Sequence, residues 1–142
     1  MKNLSASLED YLELICNLIE TGQNVKAAEI ARKLNISRAA VSEALMKLVE
    51  KNLIEYEGHK GITITSSGLK KAMDVISKHN TFTFFFEETL GIDREQAEEN
   101  ACKIEHVISD EVFLRIKSFQ QYCSENPEFI QKFKEGYKRN QS

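Results

Sequence analysis

Apolar residues recur every three to four positions along most of the chain, the period of helices packed on one face, and alternate only briefly near the middle. Leu8, Tyr11, Leu12, Ile15, Leu18 and Ile19 predict a first amphipathic helix over residues 7–20. Ser7 with Asp10 resembles an N-terminal box for it, and Thr21-Gly22-Gln23-Asn24 ends it. A short helix follows over residues 25–34, with Ala27, Ile30, Ala31 and Leu34 inward. Asn35-Ile36 makes a tight turn. Ser37 then caps a third helix, Arg38 to Lys51, whose inward positions are Val41, Leu45, Leu48 and Val49. Leu53–Glu57 and Ile62–Thr65 alternate as two strands around the turn Gly58-His59-Lys60-Gly61. A long helix from Leu69 carries Met73, Val75, Ile76, His79 and the phenylalanines 82, 84, 85 and 86, stopping near Leu90-Gly91. Asp93 with Gln96 opens a helix over Glu95–Ile108. Ser109 caps another, with Val112, Phe113, Ile116, Phe119 and Tyr122 inward. Asn126-Pro127 breaks it, and a last amphipathic helix covers Glu128–Arg139.

Two short helices joined by a few residues, the second opening on small polar side chains, match a helix-turn-helix, and a hairpin directly after it makes the winged form. The expected architecture is therefore mainly α. An N-terminal winged helix-turn-helix with a two-stranded β wing (residues 1–70) precedes an all-α domain (residues 71–142). In a winged helix, Arg38–Lys51 enters the DNA major groove with its N-terminal residues foremost. Ser37, Arg38, Ala39, Ala40, Ser42 and Glu43 are then the candidates for the DNA-facing surface. Ala39 or Ala40 can meet a thymine methyl, and Arg38 can meet phosphate or guanine. Lys47, His59 and Lys60 reach phosphates. Glu43 is awkward beside a phosphate and has to face a cytosine amino group or solvent.

The net charge of −3 over 142 residues argues against nucleic acid only until its distribution is considered. Residues 26–71 hold nine Lys/Arg against five Glu, a local +4 that leaves −7 for the remainder. A basic segment inside an acidic chain keeps DNA binding open and leaves carboxylates to hold a cation. So modest a positive charge suggests that tight binding takes a dimer or more. No apolar run approaches the length of a membrane span, and Met1-Lys2-Asn3-Leu4-Ser5 lacks the apolar core of a signal peptide. Three scattered cysteines (Cys16, Cys102, Cys123) make a disulfide framework improbable and point to a reduced cytoplasm. The phenylalanine cluster exceeds what a lone helix buries, which predicts a dimer interface.

The chemistry concentrates in Cys102-x-x-Glu105-His106. On a helix these residues stand at i, i+3 and i+4, within an arc of roughly 100°, so one face presents thiol, carboxylate and imidazole. Such groups bind divalent transition metals. Asp10 and Glu13, three apart on the first helix, read singly as solvated first-turn acids, and His79 as an ordinary helix histidine.

Together these residues resemble the diphtheria-toxin-repressor/manganese-transport-repressor family of metal-activated transcriptional regulators. The resemblance runs from about Leu8 to Tyr122, and Glu9-Asp10-Tyr11-Leu12-Glu13 and Glu105-His106 are its most specific elements. The chain ends where the shorter members end, so the resemblance implies the short form, expected to be without the SH3-like domain of the longer ones. The resemblance implies a homodimer, operator DNA as partner, no enzymatic activity and no small organic substrate. It also implies a metal bound by Asp10, Glu13, His79, Cys102, Glu105 and His106, which favours the DNA-competent dimer. Manganese members usually have a carboxylate at the position of Cys102, where iron members have the cysteine, and iron members usually have methionine at the position of Asp10, where manganese members have aspartate, so this chain mixes the two. Thr83 and Glu98 stand where iron members have other ancillary ligands, and Glu98 retains a carboxylate able to coordinate. Thiolate with imidazole favours ferrous iron, cobalt, nickel or zinc over manganese. The expected ion is Fe2+, with Mn2+ the runner-up and Zn2+, Co2+ or Ni2+ as substitutes in vitro.

Three other readings compete. A redox-sensing regulator would use Cys102 as a reactive thiol. A metalloenzyme would use an open metal position, but no base–nucleophile arrangement accompanies it. A structural zinc site would make chelators unfold the protein.

Overall fold

The computed structural model describes residues 6–142, so the N-terminal Met1–Ser5 lies outside it. The chain divides between Ile76 and Ser77 into two compact units, six residues beyond the expected boundary and within a helix.

The first unit contains α1 (Ala6–Glu20), α2 (Ala27–Leu34), α3 (Arg38–Glu50), β1 (Ile54–Glu57) and β2 (Gly61–Ile64), and the start of α4 (Ser66–Phe84). Leu8, Leu12, Ile15 and Leu18 of α1 are buried as the periodicity requires, together with Cys16. They meet Ile30 and Ala31 of α2, Val41, Ala44, Leu45 and Leu48 of α3, and Ile54 and Ile62 of the hairpin in one core. Each fully buried aliphatic side chain contributes about 1.5–3 kcal/mol of hydrophobic stabilisation. α1 already begins at Ala6, so Ser7 lies inside the helix and is not its N-cap. Leu34 and Val49, expected inward, are exposed, and Ala44 takes the inward place on α3.

The helix-turn-helix owes its sharp turn to Asn35, whose φ of 52° puts it in the left-handed region that asparagine tolerates. Ser37 caps α3, its hydroxyl accepting from the Ala40 N–H at 3.1 Å. The wing is antiparallel, with Ile54 opposite Ile64 and Tyr56 opposite Ile62. Gly61 has φ of 88°, and a Cβ there would stand 2.9 Å from the Val25 carbonyl oxygen, so only glycine fits where the wing returns past α2. The Ile62 N–H donates to that same carbonyl at 3.0 Å.

Thr65 joins three elements. Its hydroxyl lies 2.8 and 3.0 Å from the Asn52 and Leu53 carbonyl oxygens and accepts from the Gly68 N–H at 2.9 Å. The residue thus caps α4 while holding the end of the wing to the chain that leaves α3.

The second unit completes α4 and continues through a π-helical turn (Phe85–Thr89), α5 (Arg94–Ile104), α6 (Asp110–Glu125) and α7 (Pro127–Gln141). Asp93 and Ser109 cap α5 and α6 as expected, accepting from the Gln96 and Val112 N–H groups. Phe82 is fully buried, its ring 5.9 Å from Phe86 and 6.4 Å from Phe113, and Phe85 packs edge-on to Phe119. Part of the phenylalanine cluster is therefore satisfied within the unit. The α6 stripe is less buried than its period implies: Val112, Phe119 and Tyr122 are exposed, as are Phe84, Phe129 and Phe133. No helix of the described residues is long and apolar enough to cross a membrane.

Candidate metal centre and nucleic-acid interface

In the second unit, α5 and α4 bring the sequence-marked donors together. α5 stops at Ile104, four residues short of the expected end, but Glu105 keeps helical angles (φ −56°, ψ −29°) and its N–H donates to Ala101 at 3.0 Å. The helical turn therefore persists far enough for Cys102, Glu105 and His106 to converge. One donor atom from each lies within 4.8 Å of the others. Glu105 is buried, and its side chain is fully inaccessible to solvent. Its Oε2 stands 2.7 Å from His79 Nδ1 and its Oε1 3.4 Å from His106 Nε2.

A buried carboxylate between two imidazoles, with a thiol beside them, has the chemistry of a transition-metal donor set. Burying a carboxylate is costly unless it is paired, and a divalent ion satisfies it together with its neighbours. The residues present therefore fit a metal. Exposed Cys102 is accessible to an incoming ion, whereas the thiols of Cys16 and Cys123 are buried. Burial raises the pKa of both; at Cys16 the nearby Glu20 and Glu13 raise it further. Those two thiols are poor ligands and poor nucleophiles.

Asp10 and Glu13 belong to the first unit, one turn apart on α1, Asp10 exposed and Glu13 half-buried. Their neighbour Glu9 stands in the sequence only as part of the stretch Glu9-Asp10-Tyr11-Leu12-Glu13 that carries the resemblance, because nothing in a helical period marks a buried acid. It is buried and paired with Lys71 at 3.5 Å. Glu98 does not join the Cys102–Glu105–His106 donors: it accepts from Arg94 Nε at 2.8 Å, and Arg94 also reaches Glu87 at 3.2 Å. The Thr83 hydroxyl, one turn beyond His79, is buried with no hydrogen-bond partner among the described residues.

The nucleic-acid candidates all lie in the first unit and all are exposed: Ser37, Arg38, Ala39, Ala40, Ser42, Glu43 and Lys47 on or before α3, and His59 and Lys60 at the wing tip. Both lysines are engaged, Lys47 with Glu43 at 2.8 Å and Lys60 with Glu57 at 2.7 Å. Lys47 holds the Glu43 carboxyl below its ordinary pKa, chiefly through their hydrogen bond, and Glu43 raises Lys47 in return. Met46, at 62% exposure, is the interface candidate that the sequence reading missed. Its position opposite Val41, Leu45 and Leu48 was the available signal.

Comparison with known proteins decides between a generic winged helix and a specific regulator. Residues 3–62 match the family described as "Iron dependent repressor, N-terminal DNA binding domain". Residues 65–134 match its partner, "Iron dependent repressor, metal binding and dimerisation domain". The chain belongs to the iron-dependent repressor family. It is 41% identical over 119 residues to an uncharacterised HTH-type transcriptional regulator of Methanocaldococcus jannaschii, covering 83% of this chain and 95% of that one. It is 31% identical to the HTH-type transcriptional regulator MntR of Shouchella clausii, over 94% of this chain and 93% of that one. Among solved structures, the manganese regulator SloR superimposes with a TM-score of 0.72 at 30% identity, covering 86% of this chain. The chain spans about half of that solved protein (55%). As a member of this family, the protein is a metal-dependent, DNA-binding transcriptional repressor and not an enzyme.

Proposed function

We propose that this repressor is a homodimer that binds its operator when Asp10, Glu13, His79, Cys102, Glu105 and His106 hold a divalent metal, and that the favoured ion is Fe2+. The observation that carries this reading is the buried Glu105 carboxylate, 2.7 Å from His79 and flanked by His106 and Cys102. Bound metal supplies the positive charge that offsets repulsion among the carboxylates. Glu105 orients His79, and Cys102 gives the set its softest donor. Asp10 and Glu13 belong to the unit that carries the DNA-binding residues, so an ion taking donors from both sets favours one arrangement of the chain. Metal binding thereby shifts the population towards the DNA-competent dimer. The exposed Phe84, Phe119, Tyr122, Phe129 and Phe133 support dimerisation through the second unit. The DNA contacts are Ser37, Arg38, Ala39, Ala40, Ser42, Glu43, Lys47, His59 and Lys60, and the working compartment is a reducing cytoplasm.

Thiolate and imidazole together favour iron over manganese. Manganese is the second reading, favoured by the carboxylate at Asp10 and by the names of relatives such as the manganese regulator SloR. Gel-shift titration of promoter DNA from its own host with Fe2+, Mn2+ and Zn2+, with and without chelator, tests the proposal. Metal-dependent retardation that chelator reverses, at the lowest concentration for Fe2+, is expected. DNA binding indifferent to all three ions would overturn it, and a chelator that unfolds the protein would make the site structural. A switch produced in metal-free protein by alkylating Cys102 would favour redox sensing instead.

A further inference from the structure

The outward face of α3 is unusual for a surface that meets a polyanion, because an acid sits near its middle. Val41, Ala44, Leu45 and Leu48 are buried, which fixes the opposite face. At about 100° per residue, Ala39, Glu43, Met46 and Glu50 lie within roughly 40° of the direction pointing straight out, while Ser42, Lys47 and Val49 flank them. Glu50 lies in the last turn, away from the N-terminal end that enters a groove first. Glu43 is therefore the carboxylate of the outward face nearest the end that enters a groove first, at the edge of a cleft it lines with Ser7, Leu8 and Tyr11 of α1, and 70% of its side chain is exposed. Ala39 one turn before it, and the unbranched Met46 three residues after it, leave it room.

We infer that Glu43 reads a cytosine in each operator half-site. The inference rests on the regulatory reading above. A carboxylate can only accept hydrogen bonds, and in the major groove only cytosine N4 and adenine N6 donate them. Adenine also presents the N7 acceptor beside N6, which repels the second carboxylate oxygen. Guanine offers only acceptors on this edge, and thymine one acceptor and a methyl. Cytosine is the base whose exposed edge suits an ionised Glu43. The ion pair with Lys47 makes that contact tolerable near phosphates. Lys47, one turn further on, holds the carboxylate at 2.8 Å, keeps it ionised and brings a compensating cation to the backbone. Met46 and Ala39, the apolar neighbours, suit thymine methyls beside that cytosine.

The test is selection of duplexes with randomised half-sites by full-length, metal-loaded protein, followed by titration of the selected site and its single-base variants. The wild type is expected to select C·G at one position per half-site and to lose about tenfold or more in affinity when that pair is changed. Glu43→Gln is expected to move the preference to A·T, because an amide both donates and accepts, and Glu43→Ala to bind all four pairs within about threefold. Wild type and Glu43→Gln selecting the same base at every position would overturn the inference while leaving metal-dependent repression standing. So would a uniform gain in affinity of Glu43→Ala for every sequence, since Glu43 would then act only as a restraint on Lys47. A wild type that selects no sequence with any metal would overturn the regulatory reading and this inference together.

Discussion

Replacing Glu105 by Gln keeps the shape of the side chain and removes its charge, so the change isolates what the buried carboxylate does. In the metal-free protein the substitution exchanges a charge-assisted bond to His79 Nδ1 (2.7 Å) for a neutral one. The expected loss of stability is about 1 kcal/mol. Its effect on the metal-loaded protein is larger. An ion at a hundredfold excess over its Kd stabilises the folded state by about 2.7 kcal/mol. For a chain of this size each kcal/mol moves Tm by about 2–4 °C, so the wild type gains about 5–11 °C. A neutral amide that raises Kd a hundredfold leaves about 0.4 kcal/mol at the same metal concentration, a gain of about 1–2 °C. Scanning calorimetry of both proteins with and without Mn2+ or Co2+, which avoid iron oxidation, measures the difference directly. A Glu105→Gln variant that keeps the full metal-induced rise would refute the role given to Glu105.

Four further outcomes follow from particular contacts. Ser37→Ala removes the acceptor for the Ala40 N–H and should cost about 1 kcal/mol in urea denaturation, with a parallel loss of operator affinity because the start of α3 frays. Gly68→Ala places a Cβ against the Leu53 carbonyl oxygen and 2.9 Å from Ile64 Cγ1, so it should destabilise the first unit by about 2 kcal/mol or more, read as a fall in Tm. Cys102→Asp exchanges the soft donor for a hard one and should move the metal response at least tenfold from Fe2+ towards Mn2+ in gel shifts; an unchanged ratio would exclude Cys102 as a ligand. The Glu43–Lys47 pair lowers the Glu43 pKa, so its support of α3 is complete above the ordinary glutamate pKa of about 4.3 and is lost as pH falls through the lower folded value. Both groups are solvent-exposed, so the effect is small: a Glu43→Gln stability profile should lie slightly below wild type above that pH and merge with it as acid removes the pair.

Helices whose apolar stripe faces a core of their own chain were readable from the sequence because burial enforces the period. Leu8, Leu12, Ile15 and Leu18, and Val41, Leu45 and Leu48, are such cases. The caps at Ser37, Asp93 and Ser109 were readable because a short polar side chain before an apolar run has one efficient use. The stripe of α6 was misread as fully inward: its period shows that Val112, Phe119 and Tyr122 share a face but not whether this chain covers it. The π turn at Phe85–Thr89 was not readable, since five residues are too few to show a changed period. At the candidate site, the i, i+3, i+4 spacing found Cys102, Glu105 and His106, but it could not show that Glu105 is buried or that His79 meets it. That pairing spans 26 positions along the chain and depends on tertiary packing. Glu98 illustrates the converse: its residue type suits a ligand, but a neighbouring guanidinium engages it.

The Thr65 hydroxyl has a mechanical consequence. One side chain fastens the first turn of α4, the closing strand of the wing and the residues that leave α3, all within hydrogen-bond length. These pieces cannot slide past one another without breaking that fastening. A displacement of the first turn of α4 therefore carries with it the end of the wing and the residues that leave α3. Loosening this joint, as in Thr65→Val, should cost the first unit about 1 kcal/mol or more, read in urea denaturation.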